Sequence, residues 1–139
     1  MRAVLDTNVV VAAFISRRGA SNSLLVRAAS GEFEMVASPT LFLEYEEVLK
    51  RAEQRLAHGM TLQMIDERLE DLAGVIRPVQ VRFGWRPQLR DPDDEMVLEA
   101  AVNGGAGRIV TFNPRDFEGA ERFGVTLETP QQFLRTIKR

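Results

Sequence analysis

Cysteine is absent from this 139-residue chain, histidine occurs once (His58), lysine twice (Lys50, Lys138), and tryptophan and tyrosine once each. Without cysteine there is no disulfide, no thiolate nucleophile and no Cys-rich zinc site, which fits a reducing compartment and makes the cytoplasm the expected location. The longest clean apolar run, Val9 to Ile15, is too short to span a membrane. A net charge of −2 and a pI near 5.5 argue against a basic face that grips long duplexes. What remains, 45% hydrophobic and 27% charged residues, is enough for a real core, and one globular domain over residues 1–139 is expected. Nearly all the positive charge is arginine, which suits bidentate phosphate contacts, although an arginine-rich genome gives the same bias.

Strands and helices alternate along the chain. Ala3 to Leu5 forms a short β-prone run, followed by helix-start residues Thr7 and Asn8 and the apolar segment to Ile15. Ser21 to Ala29 has helical spacing and ends at Gly31. Phe33 to Ala37 reads as a strand. Ser38-Pro39 places an N-cap before a proline at the first helical position and opens a helix to about Leu56. Leu62, Ile65, Leu69 and Leu72 mark another helix that Gly74 ends, and Val75 to Val81 a third strand. Phe83 to Arg90, with Gly84, Trp85 and Pro87, reads as a loop. A helix runs from Pro92 to Asn103 and stops at Gly104-Gly105. Arg108 to Phe112 and Val125 to Leu127 are strands, and Thr129-Pro130 caps the last helix. This order predicts an α/β fold, a three-layer α/β/α sandwich with a mainly parallel central sheet.

Five acids stand out against that frame. Asp6 closes the first strand, Glu44 emerges on or beside the apolar stripe of Leu41, Tyr45, Val48 and Leu49, and Asp116 follows the fourth strand. Asp91 is a natural N-cap of its helix; Asp94, at N3, is the far partner of a capping box and shares a face with Val97, Leu98 and Ala101, while Asp93 and Glu95 point elsewhere. Each has a structural role available: Asp6 and Asp91 as caps, Asp94 against a helix dipole, Asp116 in a turn. Ligands of parallel sheets collect beyond the carboxyl ends of the strands, and topology brings Asp6, Glu44, Asp94 and Asp116 toward that edge. Carboxylates gathered there raise one another's pKa unless a cation or a proton neutralises them. With hard oxygen donors and no suitably placed His, Cys or Lys, the chemistry expected is metal-assisted phosphodiester hydrolysis, with one ion or two. Thr7, Asn8, Thr111 and Asn113 are candidates to orient the acids, or are simply turn and cap residues. Arg17, Arg18, Arg86, Arg90 and Arg115 are candidates for substrate phosphates, and Trp85 for stacking on a base or anchoring its loop. His58 reads as a helix-end residue without a nearby partner.

Through LDTNVVVAAF (5–14), SPTLFLEYEEVL (38–49), RDPDDEMVLEAA (90–101) and TFNPRDF (111–117), the chain resembles PIN-domain proteins, and within them the VapC-like toxins of bacterial toxin–antitoxin pairs. The resemblance implies an Mg²⁺- or Mn²⁺-dependent endoribonuclease in which Asp6, Glu44 and Asp94 match the strongest acidic positions and Asp116 the more variable fourth. Asp91 is a helix cap first and a metal ligand second. Relatives often carry Gly-Asp after the strand threonine, where this chain has Phe112-Asn113, so Asp116, Asn113 or a water is the fourth ligand. The partners implied are an RNA substrate, a small cognate antitoxin and a second copy of the chain; no membrane is implied. The alternative is a non-catalytic PIN-like module that binds RNA or protein. A haloacid-dehalogenase-like phosphatase needs a second Asp where Asn8 stands and a later Lys, a receiver domain needs a Lys after a late strand, and a dinucleotide fold needs a Gly-rich turn after its first strand.

Overall fold

The computed structural model describes residues 1–82, 89 and 91–138. Five strands, β1 (Arg2–Leu5), β2 (Glu34–Ala37), β3 (Arg77–Pro78), β4 (Arg108–Val110) and β5 (Thr126–Glu128), form one sheet in the order β3-β2-β1-β4-β5 with every pairing parallel. Among the described residues seven α-helices accompany them: α1 (Thr7–Ile15), α2 (Ala20–Ala29), α3 (Pro39–Leu49), α4 (Ala52–His58), α5 (Leu62–Val75), α6 (Pro92–Asn103) and α7 (Pro130–Ile137). Helix α6 lies across β1, β2 and β4, whereas α1 packs on α2 and α3, and α2 on α7. The result is the expected α/β/α arrangement. The central strands are apolar on both faces, and Ala3, Val4, Leu5, Met35, Val36, Ile109 and Val110 have no exposed surface, as a sheet covered on both sides requires.

The order of strands determines where a ligand fits. From β1 the chain moves outward to β2 and β3, then returns to the other side of β1 for β4 and β5. The connections therefore diverge at the β1/β4 boundary, the switch point at which parallel sheets leave a crevice. Leu5 pairs with Val110 and Val110 with Glu128, so the three strands end level. The ladder runs one residue further: Asp6 N–H donates to Val110 O at 2.9 Å and Thr111 N–H to Glu128 O at 2.9 Å.

Several elements depart from the sequence reading. The single helix expected from Pro39 to Leu56 is two, α3 and α4, because Arg51 takes an extended backbone (φ −62°, ψ 143°). The break is secured by contacts that local sequence does not reveal. The His58 ring binds Leu49 O through Nε2 at 3.0 Å while Nδ1 accepts from Met60 N–H at 3.0 Å, and Lys50 bridges Glu46 of α3 and Asp66 of α5 at 2.8 and 2.6 Å. With Nδ1 accepting, Nε2–H is the donor to Leu49 O. His58 thus ends its helix as expected, but it has partners on both ring nitrogens. Helix α5 runs through Gly74 to Val75, and β3 shrinks to two residues. Two 3₁₀ turns, Pro114–Phe117 and Ala120–Phe123, fill the segment between β4 and β5. Gly104 ends α6 as expected, and close packing demands it: a Cβ there would stand 2.6 Å from a Val36 methyl and 2.8 Å from Ala100 O.

Candidate active site

Asp6 is the first residue past β1 and is only 8% exposed. A capping role would turn its carboxylate onto the N–H groups of the N2 or N3 residues, yet its side chain makes no cap hydrogen bond. Thr111, wholly buried at the end of β4, donates its Oγ1–H to Asp6 Oδ2 at 2.8 Å and accepts from Asn113 N–H at 3.0 Å. Burial pushes the Asp6 carboxyl above its ordinary range; the hydrogen bonds from Thr111 and the Thr7 backbone pull it back, and the charges of Asp116 and Asp91 push it up again.

Helix α6 brings the next acids. Asp91 is its N-cap and accepts from Asp93 N–H at 2.9 Å, and Pro92 sits at the first helical position, as expected. The expected capping box does not form: the Asp91 side chain accepts from Asp93 N–H, one position short of Asp94, and Asp94 N–H donates to the Asp91 backbone O at 3.1 Å. Asp94, partly buried, faces the crevice charges instead. Desolvation, then the charges of Asp6, Asp91, Asp116 and Asp93, push its pKa from 3.8 to about 7. Asp116 lies exposed in the first 3₁₀ turn, and its charge acts on both Asp6 and Asp94. Asn113, also exposed, donates its backbone N–H to Thr111 Oγ1.

Glu44 lies at one side of the group. It is half-buried on α3, and desolvation followed by the charges of Asp93, Glu47 and Asp91 raises its pKa, with Arg51 opposing. The sequence reading turns Asp93 away from the site, yet its charge acts on both Glu44 and Asp94. Tyr45, read from the sequence only as part of an apolar face, donates its hydroxyl to Leu5 O at 2.5 Å. It thereby fixes the strand end from which Asp6 projects; burial and then the charge of Asp6 hold its hydroxyl well above its ordinary pKa. An aromatic hydroxyl one residue from an out-of-place Glu is the signal that points to it. Glu95, also turned away in the sequence reading, is 3% exposed and accepts from Leu89 N–H, tying the approach to α6 against its first turn.

The remaining candidates separate. Thr7 is buried beside Asp6, whereas Asn8 is exposed. Arg17 acts on Arg68, which stacks over the Phe14 ring, so it belongs to the α1–α5 side of the molecule. Arg18 and Arg115 are exposed on loop and turn. Arg86, Arg90 and Trp85 lie outside the described residues.

Among the described residues, no three acids or histidines stand close enough, as placed, to share one ion. The shared pKa shifts and this spacing are compatible, because charges act over about a Debye length of 10 Å whereas coordination needs oxygens within about 2.0–2.6 Å. A cation among them would relieve the repulsion between like charges. The donor set is all oxygen, which suits a hard divalent ion.

A profile of the PIN domain matches residues 2–115, which include all of the acids above except Asp116. No curated protein matches the chain. Among solved structures, the chain is similar to the VapBC2 complex from Rickettsia felis bound to a DNA fragment from their promoter, at 15% identity and a TM-score of 0.62, covering 93% of this chain and 98% of that one. At that identity the likeness concerns the fold. With a matching profile across most of its length and the strand order, switch-point crevice and acids described above, the chain belongs to the PIN-domain family.

Proposed function

We propose that this protein is a metal-dependent endoribonuclease, the toxin of a toxin–antitoxin pair. The observation that carries the reading is the convergence on Asp94, where desolvation and then the charges of four other aspartates, drawn from the end of β1, the start of α6 and the turn after β4, raise the pKa to about 7, the kind of shift that clusters at functional sites. Asp6, Glu44, Asp94 and Asp116 would hold Mg²⁺ or Mn²⁺, with Asp91 free to assist only by leaving its cap. A bound divalent ion supplies Lewis acidity that activates a water and stabilises the departing oxygen of the phosphodiester. The chain's own groups do the rest. Thr111 and the Thr7 N–H fix the orientation of the Asp6 carboxylate, Tyr45 fixes its backbone, and Asp94, with a pKa of about 7, holds a proton at its carboxyl that it would give up to serve as a ligand.

The partners proposed are RNA, a small antitoxin that covers the acidic crevice, and a second copy of the chain. Exposed Leu43, Leu56, Leu62 and Met64 offer apolar surface for protein contacts. The VapBC2 complex is the structural precedent for a bound partner. Among the described residues no single helix is long and apolar enough to cross a membrane. The second reading, a non-catalytic RNA- or protein-binding module, draws on the spacing of the acids as placed. One assay separates the two: purified protein cleaves single-stranded or structured RNA with Mg²⁺ or Mn²⁺, chelation stops it, and Asp6→Asn prepared in parallel does not cleave. Equal cleavage by the variant assigns the activity to another site or to a contaminant.

A further inference from the structure

A second concavity opens on the same edge of the sheet. Its volume is about 450 Å³, within the range of small-ligand sites, and none of the residues lining it carries a charge. One wall is the end of β4 and β5: Phe112, 47% exposed, follows the Thr111 that holds Asp6, and Thr129 follows β5. The other wall is the start of α2, where Gly19, the N-cap, has no side chain to satisfy the first-turn N–H groups. Helix α7 begins at the same pocket, but its N-terminus is already closed by the Thr129–Gln132 capping box. The independent observation is Ser21. It is 4% exposed, lines the pocket, and its hydroxyl makes no hydrogen bond to any described residue. Since no enclosed side-chain oxygen among the described residues lacks a partner, the Ser21 hydroxyl is the part of this otherwise buried residue that stays open, and the pocket it lines is where a ligand would meet it.

We infer that this pocket receives a nucleobase of the RNA next to the scissile phosphate, stacked on Phe112 with its polar edge against the Ser21 hydroxyl and the open N–H groups of α2. The inference rests on the ribonuclease reading for the identity of the ligand. The chemistry fits a base better than a phosphate: the lining is neutral, one side is an accessible aromatic face, and the donors are dipolar groups that match carbonyl oxygens and ring nitrogens. Ala12, on the lining, lies six residues along from Asp6, about 9 Å of helix, so the pocket stands beside the acids and not on them.

The test uses fluorescein-labelled single-stranded octaribonucleotides in EDTA, where no cleavage occurs, read by fluorescence anisotropy, with each position in turn made abasic. Phe112→Ala should weaken binding about tenfold, the loss of one stacked base. Gly19→Asp should weaken it similarly while the melting temperature stays equal or rises, because an aspartate caps α2 and occupies the N–H groups that the base would use. One abasic position should weaken wild-type binding and leave the Phe112→Ala variant unaffected. Unchanged affinity in both variants, no base preference in the wild type, or no wild-type binding at all overturns the inference. A wild type that shows these losses but cleaves no RNA with Mg²⁺ or Mn²⁺ leaves the pocket standing and removes the ribonuclease reading; normal cleavage with unaltered variant binding does the reverse.

Discussion

The two ends of the sheet carry charge in opposite ways. At the amino-terminal edge, Arg2, Arg77 and Arg82 line a cleft of about 440 Å³, and Glu34 binds Arg2 at 2.9 Å and Arg77 at 3.1 Å through the same oxygen. The hydrogen bond from Arg2 leads in holding the Glu34 carboxyl below its ordinary pKa. At the carboxyl-terminal edge, Asp6, Glu44, Asp91, Asp94 and Asp116 gather with no ion pair to a described arginine or lysine, and Asp6, Glu44 and Asp94 are pushed upward. Opposite charges that meet lower the energy of the apo fold; like charges that meet raise it. Something else has to neutralise the second kind of cluster, and this difference, more than the number of acids, supports the site proposed for the crevice.

The largest effect is expected of Asp6→Asn. Cleavage should fall by more than the roughly 100-fold seen when outer residues of a metal site are lost, whereas the melting temperature of metal-free protein should stay the same or rise as repulsion is relieved. A large loss of stability would mean that Asp6 serves the fold. Next is Thr111→Val, which keeps the shape and removes the 2.8 Å bond to Asp6; activity should fall about 10–100-fold with normal far-UV circular dichroism.

The pH dependence sharpens the contrast. A group whose folded pKa is raised binds more protons folded than unfolded, so stability falls as pH rises between the two values. For Asp94 that window runs from 3.8 to about 7. Metal-free protein should therefore lose melting temperature toward neutrality, Asp94→Asn should flatten the fall, and Mg²⁺ should restore the wild type. The smallest effect belongs to the other edge: Glu34→Gln should lower the melting temperature slightly, less so at high salt, and leave RNA cleavage unchanged, because its ion pairs are exposed.

Much of the fold was legible because its signals are local. Asp91-Pro92 and Thr129-Pro130 announce their helices, and Gly104 stops one where only glycine fits. The division of α3 from α4 was not legible, since it rests on His58 reaching back to Leu49 and on Lys50 bridging to α5. In the site, Asp6 and Asp94 were visible as acids in apolar surroundings. The Thr111–Asp6 bond spans 105 residues and depends on β4 returning beside β1; among the orienting candidates, only the topology distinguishes Thr111 from the exposed Asn8. Asp93 escaped because helical spacing sends it away from the stripe, whereas a first-turn side chain at an open crevice acts on charges to either side.

The most direct measurement is the carboxyl titration of Asp94 in metal-free protein, followed by carbon-detected NMR and repeated with Mg²⁺. The midpoint should lie at about 7 and fall steeply when the ion binds. A midpoint near the ordinary 3.8, unmoved by Mg²⁺, would contradict that expectation.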